Sequence, residues 1–212
     1  MSEEERFADN LRLLNDVLAT TAFGQHYTLW GGLLLGWARE GRVLPWDVGD
    51  ADFYYVRQHR SLLRAAMPAL AAAGFWPHRA WFDSRGTIVS YTFKRDDDIF
   101  DFFEFEVRGA EAYYWTFLPM RGRRAWVELT GVVPFTGEVV MEFLGRRWRV
   151  PADHDAFLAA CYGDWRTPIP KDRWHLAGDG MKLAGQRLWT HRHDPVVLVP
   201  PHSDEFACAS FA

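Results

Sequence analysis

The apolar positions divide the chain into an opening helix, a helix–strand stretch around residues 27–56, a strand-rich middle and a less regular tail. Phe7, Leu11, Leu14, Val17 and Leu18 recur at helical spacing, behind Glu3, Glu4 and Glu5, where a helix dipole favours negative charge. Residues 3–22 are therefore predicted to form an amphipathic helix that packs on a sheet. Tyr27 to Trp30 is a short apolar run with strand character, and Leu33 to Glu40 has helical composition. Between them stand Gly31 and Gly32, where a backbone can turn sharply and approach a ligand with no Cβ in the way. A turn of that kind at a helix N-terminus is a natural seat for phosphate oxygens.

Past Pro45 and Trp46, the run Asp50-Ala51-Asp52 leads into the β-prone Phe53-Tyr54-Tyr55-Val56. Residues two apart on a strand share a face, so Asp50 and Asp52 are predicted to project side by side. Two carboxylates so placed repel each other and call for a compensating charge, of which a divalent metal ion is the usual kind. A phosphate-tolerant turn followed by a carboxylate pair points to phosphoryl or nucleotidyl transfer.

Residues 59–73 have helical composition, with Pro68 inside and Gly74 as the stop. Phe75 to Phe82 and Thr87 to Phe93 are aromatic and β-branched runs separated by Asp83-Ser84-Arg85-Gly86, a turn sequence. A charged cluster then leads into Phe100-Asp101-Phe102, and Asp96, Asp97, Glu104 and Glu106 read as a solvated face. Further strands are predicted over 112–117, 123–129, 139–143 and 146–150. Asp153 or Asp155 caps a helix running through Cys161, which Tyr162-Gly163 closes. The run beginning at Pro195 reads as a strand followed by a loose or partner-contacting terminus. The expected fold is α+β, a mixed β-sheet flanked by helices in a single domain.

Charge and composition narrow the function. A net charge of −4 argues against nucleic-acid binding, which needs a basic field, so an anionic substrate requires a local arginine or lysine cluster. Aromatics reach 16%, with 11 Trp, a content that suits either an aromatic core or ring-lined sugar and nucleotide pockets. Cys161 and Cys208 form no disulfide framework, no apolar run is long enough for a membrane span, and the start is acidic; a cytoplasmic protein is expected. His175, His191, His193 and His202 lack the partner spacing of a zinc site.

Gly32, Leu35, Gly36, Arg39, Pro45, Trp46 and Asp47, followed by Asp50 and Asp52, resemble the signature of the LicD/fukutin-related family of the nucleotidyltransferase superfamily. The pattern is roughly G-x-x-L-G-x-x-R, then Pro-Trp-Asp, then Asp-x-Asp. One departure is a Val48-Gly49 expansion that sets Asp50 four residues after Trp46, where the family usually has three. Farther on, Pro151, Leu158, Tyr162, Gly163, Asp164, Trp165 and Pro168 stand where the family carries a hairpin exit, a short helix and a Tyr-Gly-Asp-Trp run.

That resemblance implies a nucleotidyltransferase-like domain over residues 1–212, with its motif core at 25–170 and a C-terminal extension at 171–212. It implies that Asp50, Asp52 and Asp101 are the catalytic and metal-holding carboxylates, with Asp98 the second choice for the third. The metal would be Mg²⁺ or Mn²⁺. Gly31, Gly32 and Arg39 would serve the donor's phosphates, although Arg39 equally suits a pair with Asp47. The implied reaction moves a phospho-alcohol such as phosphocholine or phosphoribitol from a CDP-activated donor to a sugar or glycan, releasing CMP. Two alternatives stay open: nucleotidyl transfer from a nucleoside triphosphate, and a non-catalytic binding protein whose metal geometry the loop expansion has spoiled.

Overall fold

The computed structural model describes residues 1–120, 126–169, 182–189 and 194–198. Helix α1 (Glu3–Ala19) opens with a capping box in which Ser2 and Glu5 satisfy each other's backbone N–H groups. It buries Phe7, Asn10, Leu11, Leu14 and Leu18. It stops short of residue 22 because Thr20 and Thr21 turn their hydroxyls back onto the Val17 and Leu18 carbonyls, competing with the helical ladder. After a 3-10 turn at Ala22–Gln25 come β1 (Thr28–Leu29), α2 (Gly31–Glu40), β2 (Asp50–Val56) and α3 (Arg60–Ala72).

The middle of the chain is a meander: β3 (Trp76–Phe82), β4 (Ile88–Arg95), β5 (Asp98–Arg108), β6 (Glu111–Pro119) and β7 (Trp126–Pro134). A separate hairpin, β8 (Glu138–Phe143) and β9 (Arg146–Pro151), precedes α4 (His154–Tyr162), which Asp153 caps through the Ala156 N–H. The segment expected as an extension supplies both ends of the main sheet, β10 (Leu183–Leu188) beside β7 and β11 (Val196–Leu198) beside β3. The expected mixed α+β architecture is present. Its sheet is antiparallel except where β2 runs parallel to β5, and it curls enough for Phe117 of β6 to stack on Trp81 of β3 at 5.3 Å.

Strand β5 is the spine of that sheet. It pairs with β4 on one side, with β2 on the other from Ile99 to Phe105, and passes to β6 from Glu106 onward. Its even-numbered residues face α1, α3 and the 3-10 turn. There Phe100 meets Phe7 and Phe75, and Phe102 meets Phe23, Tyr27 and Phe53. Its odd-numbered residues face the other way, where Phe105 stacks on Tyr54 and meets Trp30 and Tyr114. Most of the aromatic excess is therefore core on two faces of one sheet, each fully buried ring contributing roughly 2–3 kcal/mol.

Two acidic residues differ from the reading of the sequence. Glu104, expected on a solvated face, is fully buried, where Arg57 Nε at 2.7 Å, Arg60 Nη2 at 2.6 Å and the Tyr55 hydroxyl surround it. Asp98, the second choice for the third site carboxylate, is also fully buried, but against α1, bound by Arg6 at 2.9 Å and Asn10 at 2.7 Å. Both lie on the even face of β5, so neither can join Asp101. Apart from Tyr55 of β2, their partners come from α1, α3 and the turn before α3, so neighbouring sequence carries no hint of them.

Candidate active site

The site is a product of strand register. β2 and β5 pair in parallel with Asp52 opposite Asp101, and opposed residues in neighbouring strands send their side chains to the same face. Asp50 lies two residues before Asp52 and joins them. Carboxylate oxygens of Asp50, Asp52 and Asp101, the pair expected to project side by side and the residue the resemblance adds to it, lie within 4.8 Å of one another. The Val48-Gly49 expansion does not disturb this. Gly49 takes a φ of +91°, and its carbonyl accepts from the Ile99 N–H at 2.9 Å, so the loop enters β2 already in register with β5.

Burial and mutual repulsion outweigh the compensating charge that Arg79 brings to the cluster. Burial, and then the charges of Asp50, Asp101 and Asp47, hold the Asp52 carboxyl well above the usual carboxylate range. Burial pushes Asp101 up to about 6, opposed by a hydrogen bond that its Oδ1 accepts from the Thr92 hydroxyl; Asp50 pushes it further up and Arg79 pulls it down. Asp50 rises for the same first reason, burial, with Arg79 again opposing. An all-oxygen donor set carrying mutually repelling charge fits a hard divalent cation of the Mg²⁺ or Mn²⁺ kind. The residues present could hold such an ion.

Gly31 and Gly32 lie at the N-terminus of α2, where expected, and the structure shows what their lack of a side chain makes room for. A Cβ at Gly31 would lie 2.2 Å from Asp52 Oδ2, and one at Gly32 would lie 2.3 Å from Asp47 Oδ2. Gly31 also takes a φ of +55°. The two glycines let carboxylates approach the first turn of α2, whose N-cap residue Trp30 offers no side-chain cap. Arg39 lies at the far end of the same helix. Its salt bridge is with Glu40 at 3.3 Å, not with Asp47, and its guanidinium lies over the Trp46 ring at 5.8 Å. The structure therefore gives Arg39 a place in the loop that precedes β2, and does not bring it to the three carboxylates.

Two residues at the site escaped the sequence reading. Tyr162, taken there as a helix stop, lies close enough to the site for Asp52 and Asp47 to raise its phenol, after burial and Cys161. Arg79 shares a row with the carboxylates across four strands: Arg79 opposite Thr92, Thr92 opposite Asp101, Asp101 opposite Asp52. The only sequence signal for Arg79 is a basic residue within an aromatic strand. The four tail histidines weighed for zinc, His175, His191, His193 and His202, lie outside the described residues, as does Cys208; Cys161 is a buried free thiol.

The family described as LicD/FKTN/FKRP, nucleotidyltransferase domain, matches residues 24–153, more than half of the 212-residue chain. The chain belongs to the LicD/FKTN/FKRP family. The matched span runs from the 3-10 turn through α2, β2 and β5 to the cap of α4, and so contains all three carboxylates. No curated protein matches the chain. LicD/FKTN/FKRP membership makes it, broadly, a transferase of phospho-alcohol groups. None of the helices among the described residues is long and apolar enough to cross a membrane.

Proposed function

We propose that this protein is a metal-dependent phosphotransferase that moves a phospho-alcohol group from a CDP-activated donor to a sugar or glycan hydroxyl and releases CMP. The observation that carries the reading is the meeting of Asp50, Asp52 and Asp101 within 4.8 Å, at the N-terminal end of α2, in a chain of this family. Asp50, Asp52 and Asp101 would hold Mg²⁺ or Mn²⁺, which would supply Lewis-acid stabilisation of the phosphate charge. Asp101 takes the proton from the acceptor hydroxyl. The acceptor oxygen forms a bond to the donor phosphorus that carries the alcohol, and the bond from that phosphorus to the CMP oxygen breaks. Gly31 and Gly32 bring the uncapped start of α2 to the donor phosphates. Arg39 acts indirectly, by fixing Trp46 and the loop that aims Asp47 and Asp50. The fold is of nucleotidyltransferase type and residues 1–212 act as one unit, a reading supported by the two edge strands that the C-terminal segment adds.

Calorimetric titration of CDP-choline, CDP-ribitol, CDP-glycerol, CTP and ATP, with and without Mg²⁺, tests this on wild type and Asp52→Ala. Metal-dependent binding of a CDP-alcohol to wild type only is the expected result. A preference for a triphosphate would replace the reading with nucleotidyl transfer and pyrophosphate release. Absence of any metal-dependent binding would leave a non-catalytic binding protein.

A further inference from the structure

Beside the three carboxylates the curled sheet encloses a second feature. The row next to Arg79, Thr92, Asp101 and Asp52 consists of Trp81, Ser90 and Phe103, again paired strand to strand. Strand β6 returns over these rows, and a pocket of about 120 Å³ lies between them, with Arg79, Ser90 and Asp101 on one side and Trp115, Thr116 and Phe117 on the other. Trp81 stacks on Phe117 with their planes 11° apart, so these two rings meet across the curl and cover each other's facing sides.

Two polar atoms that line this pocket have no hydrogen-bond partner. Ser90 is 2% exposed and its hydroxyl has no hydrogen-bond partner. Arg79 Nε is buried and likewise has none, and Arg79 makes no salt bridge among the described residues. Its neighbours differ. Arg57 and Arg85 hold their guanidinium carbons 5.2 and 5.6 Å from the Trp115 ring, and each already pairs with a carboxylate, Arg57 with Glu104 and Glu106, Arg85 with Asp83. Arg57 and Arg85 are thus held at the Trp115 ring, whereas Arg79 lines the pocket itself. Buried donors without partners are rare in folded proteins, because each gives up its bonds to water and receives nothing in return. Here two of them line the same small space.

We propose that this pocket is a subsite for an anionic sugar acceptor, a single pyranose ring whose phosphate or carboxylate binds Arg79 and whose hydroxyls bind Ser90 and Thr116. Its role as the acceptor subsite rests on the transferase reading above. Its chemistry rests on the pocket alone. A guanidinium presents only donors and matches an oxyanion. Ser90 and Thr116 set hydroxyls beside Arg79, and Trp81, Phe103 and Trp115 supply apolar surface around them, a mixed lining that suits a small polar ring bearing one anionic group. Asp101 belongs to both features, so a ring seated here presents a hydroxyl to the carboxylate that receives the proton.

The test is a titration followed by tryptophan fluorescence and calorimetry, in EDTA and without nucleotide. The probes are glucose 6-phosphate, glucuronate, methyl glucoside, inorganic phosphate and CMP, on wild type, Arg79→Lys, Arg79→Met, Ser90→Ala and Asp52→Ala. At least one anionic sugar is expected to bind saturably, about 10-fold or more tighter than methyl glucoside and than inorganic phosphate. Arg79→Met should weaken it about 10- to 100-fold and Arg79→Lys less, with near-ultraviolet dichroism unchanged, while Asp52→Ala retains it. Anionic and neutral sugars binding alike, an Arg79→Met variant that binds as wild type does, or CMP as the ligand that depends on Arg79, would each overturn the proposal. The two readings fail separately. Metal-dependent binding of a CDP-alcohol without anionic-sugar binding removes the subsite and keeps the transferase; the reverse keeps the anion pocket and removes its acceptor role.

Discussion

At the scale of single residues, the site is built from charges that the fold brings together at a cost. Asp101 is raised on folding from the ordinary carboxylate value of 3.8 to about 6. Its contribution therefore opposes folding when it is ionised, fully above about pH 6, and vanishes as pH falls below the unfolded value. In EDTA, the melting temperature of wild type should rise as pH is lowered from 7 toward 5, with Asp101 contributing roughly 1.3 kcal/mol of stability to that rise. Asp101→Asn should melt higher than wild type at pH 7 and lose part of that slope, Asp50 and Asp52 keeping the rest; a flat wild-type profile would refute the assignment. Gly31 gives the complementary prediction. With a φ of +55° and Asp52 Oδ2 2.2 Å from any added Cβ, Gly31→Ala must strain the backbone and displace the carboxylate. It should destabilise the protein by roughly 2 kcal/mol and weaken divalent-ion affinity, which denaturation and calorimetry measure separately.

At the scale of elements, β5 does the organising, because its two faces carry different chemistry. The even face anchors the helices through buried ion pairs, and the odd face carries Asp101. Removing one partner of a buried charge is costly because the other is left unsolvated. Arg60→Ala leaves Glu104 fully buried with Arg57 as its remaining cation and should lower stability by roughly 2–4 kcal/mol. Chemical denaturation of Arg60→Ala beside the double variant Arg60→Ala/Glu104→Gln provides the check. The double variant should recover part of the loss, since a neutral amide is cheaper to bury than an unpaired carboxylate; no recovery would mean that lost packing dominates. The element bounds themselves follow local chemistry, as where the Thr20 and Thr21 hydroxyls end α1.

At the scale of the whole molecule, an ion held by the three carboxylates would couple its binding to folding. An ion that binds only the folded state at one hundred times its dissociation constant stabilises by about 2.7 kcal/mol. For a chain of this length that corresponds to a rise of roughly 5–10 °C in melting temperature. Differential scanning fluorimetry with Mg²⁺ or Mn²⁺ should show such a rise in wild type and none in Asp52→Ala. An equal shift in the variant would place the binding elsewhere. The curl of the sheet matters at the same scale, because it sets β6 over β3 and β4 and so creates the aromatic pocket beside the carboxylates.

The amino-acid sequence by itself determined the local events and the family. Helical spacing from Phe7 to Leu18, the glycine pair before a helix, the i, i+2 placement of Asp50 and Asp52 and the choice of Asp101 over its acidic neighbours were all legible, because each depends on short-range periodicity or a matched motif. What only the tertiary structure decided depends on register and closure. Pairing Asp52 with Asp101 rather than with an adjacent residue turned the pair into a triad. The same register placed Asp98 and Glu104 on the opposite face, in contact with arginines distant in sequence. The row from Asp52 to Arg79 crosses four strands, and the pocket walls come from a strand that pairs with none of the three that supply Arg79, Ser90 and Asp101 at those residues. No local pattern encodes such neighbours, since a strand's sequence specifies which face a side chain takes but not what the folded chain sets opposite it.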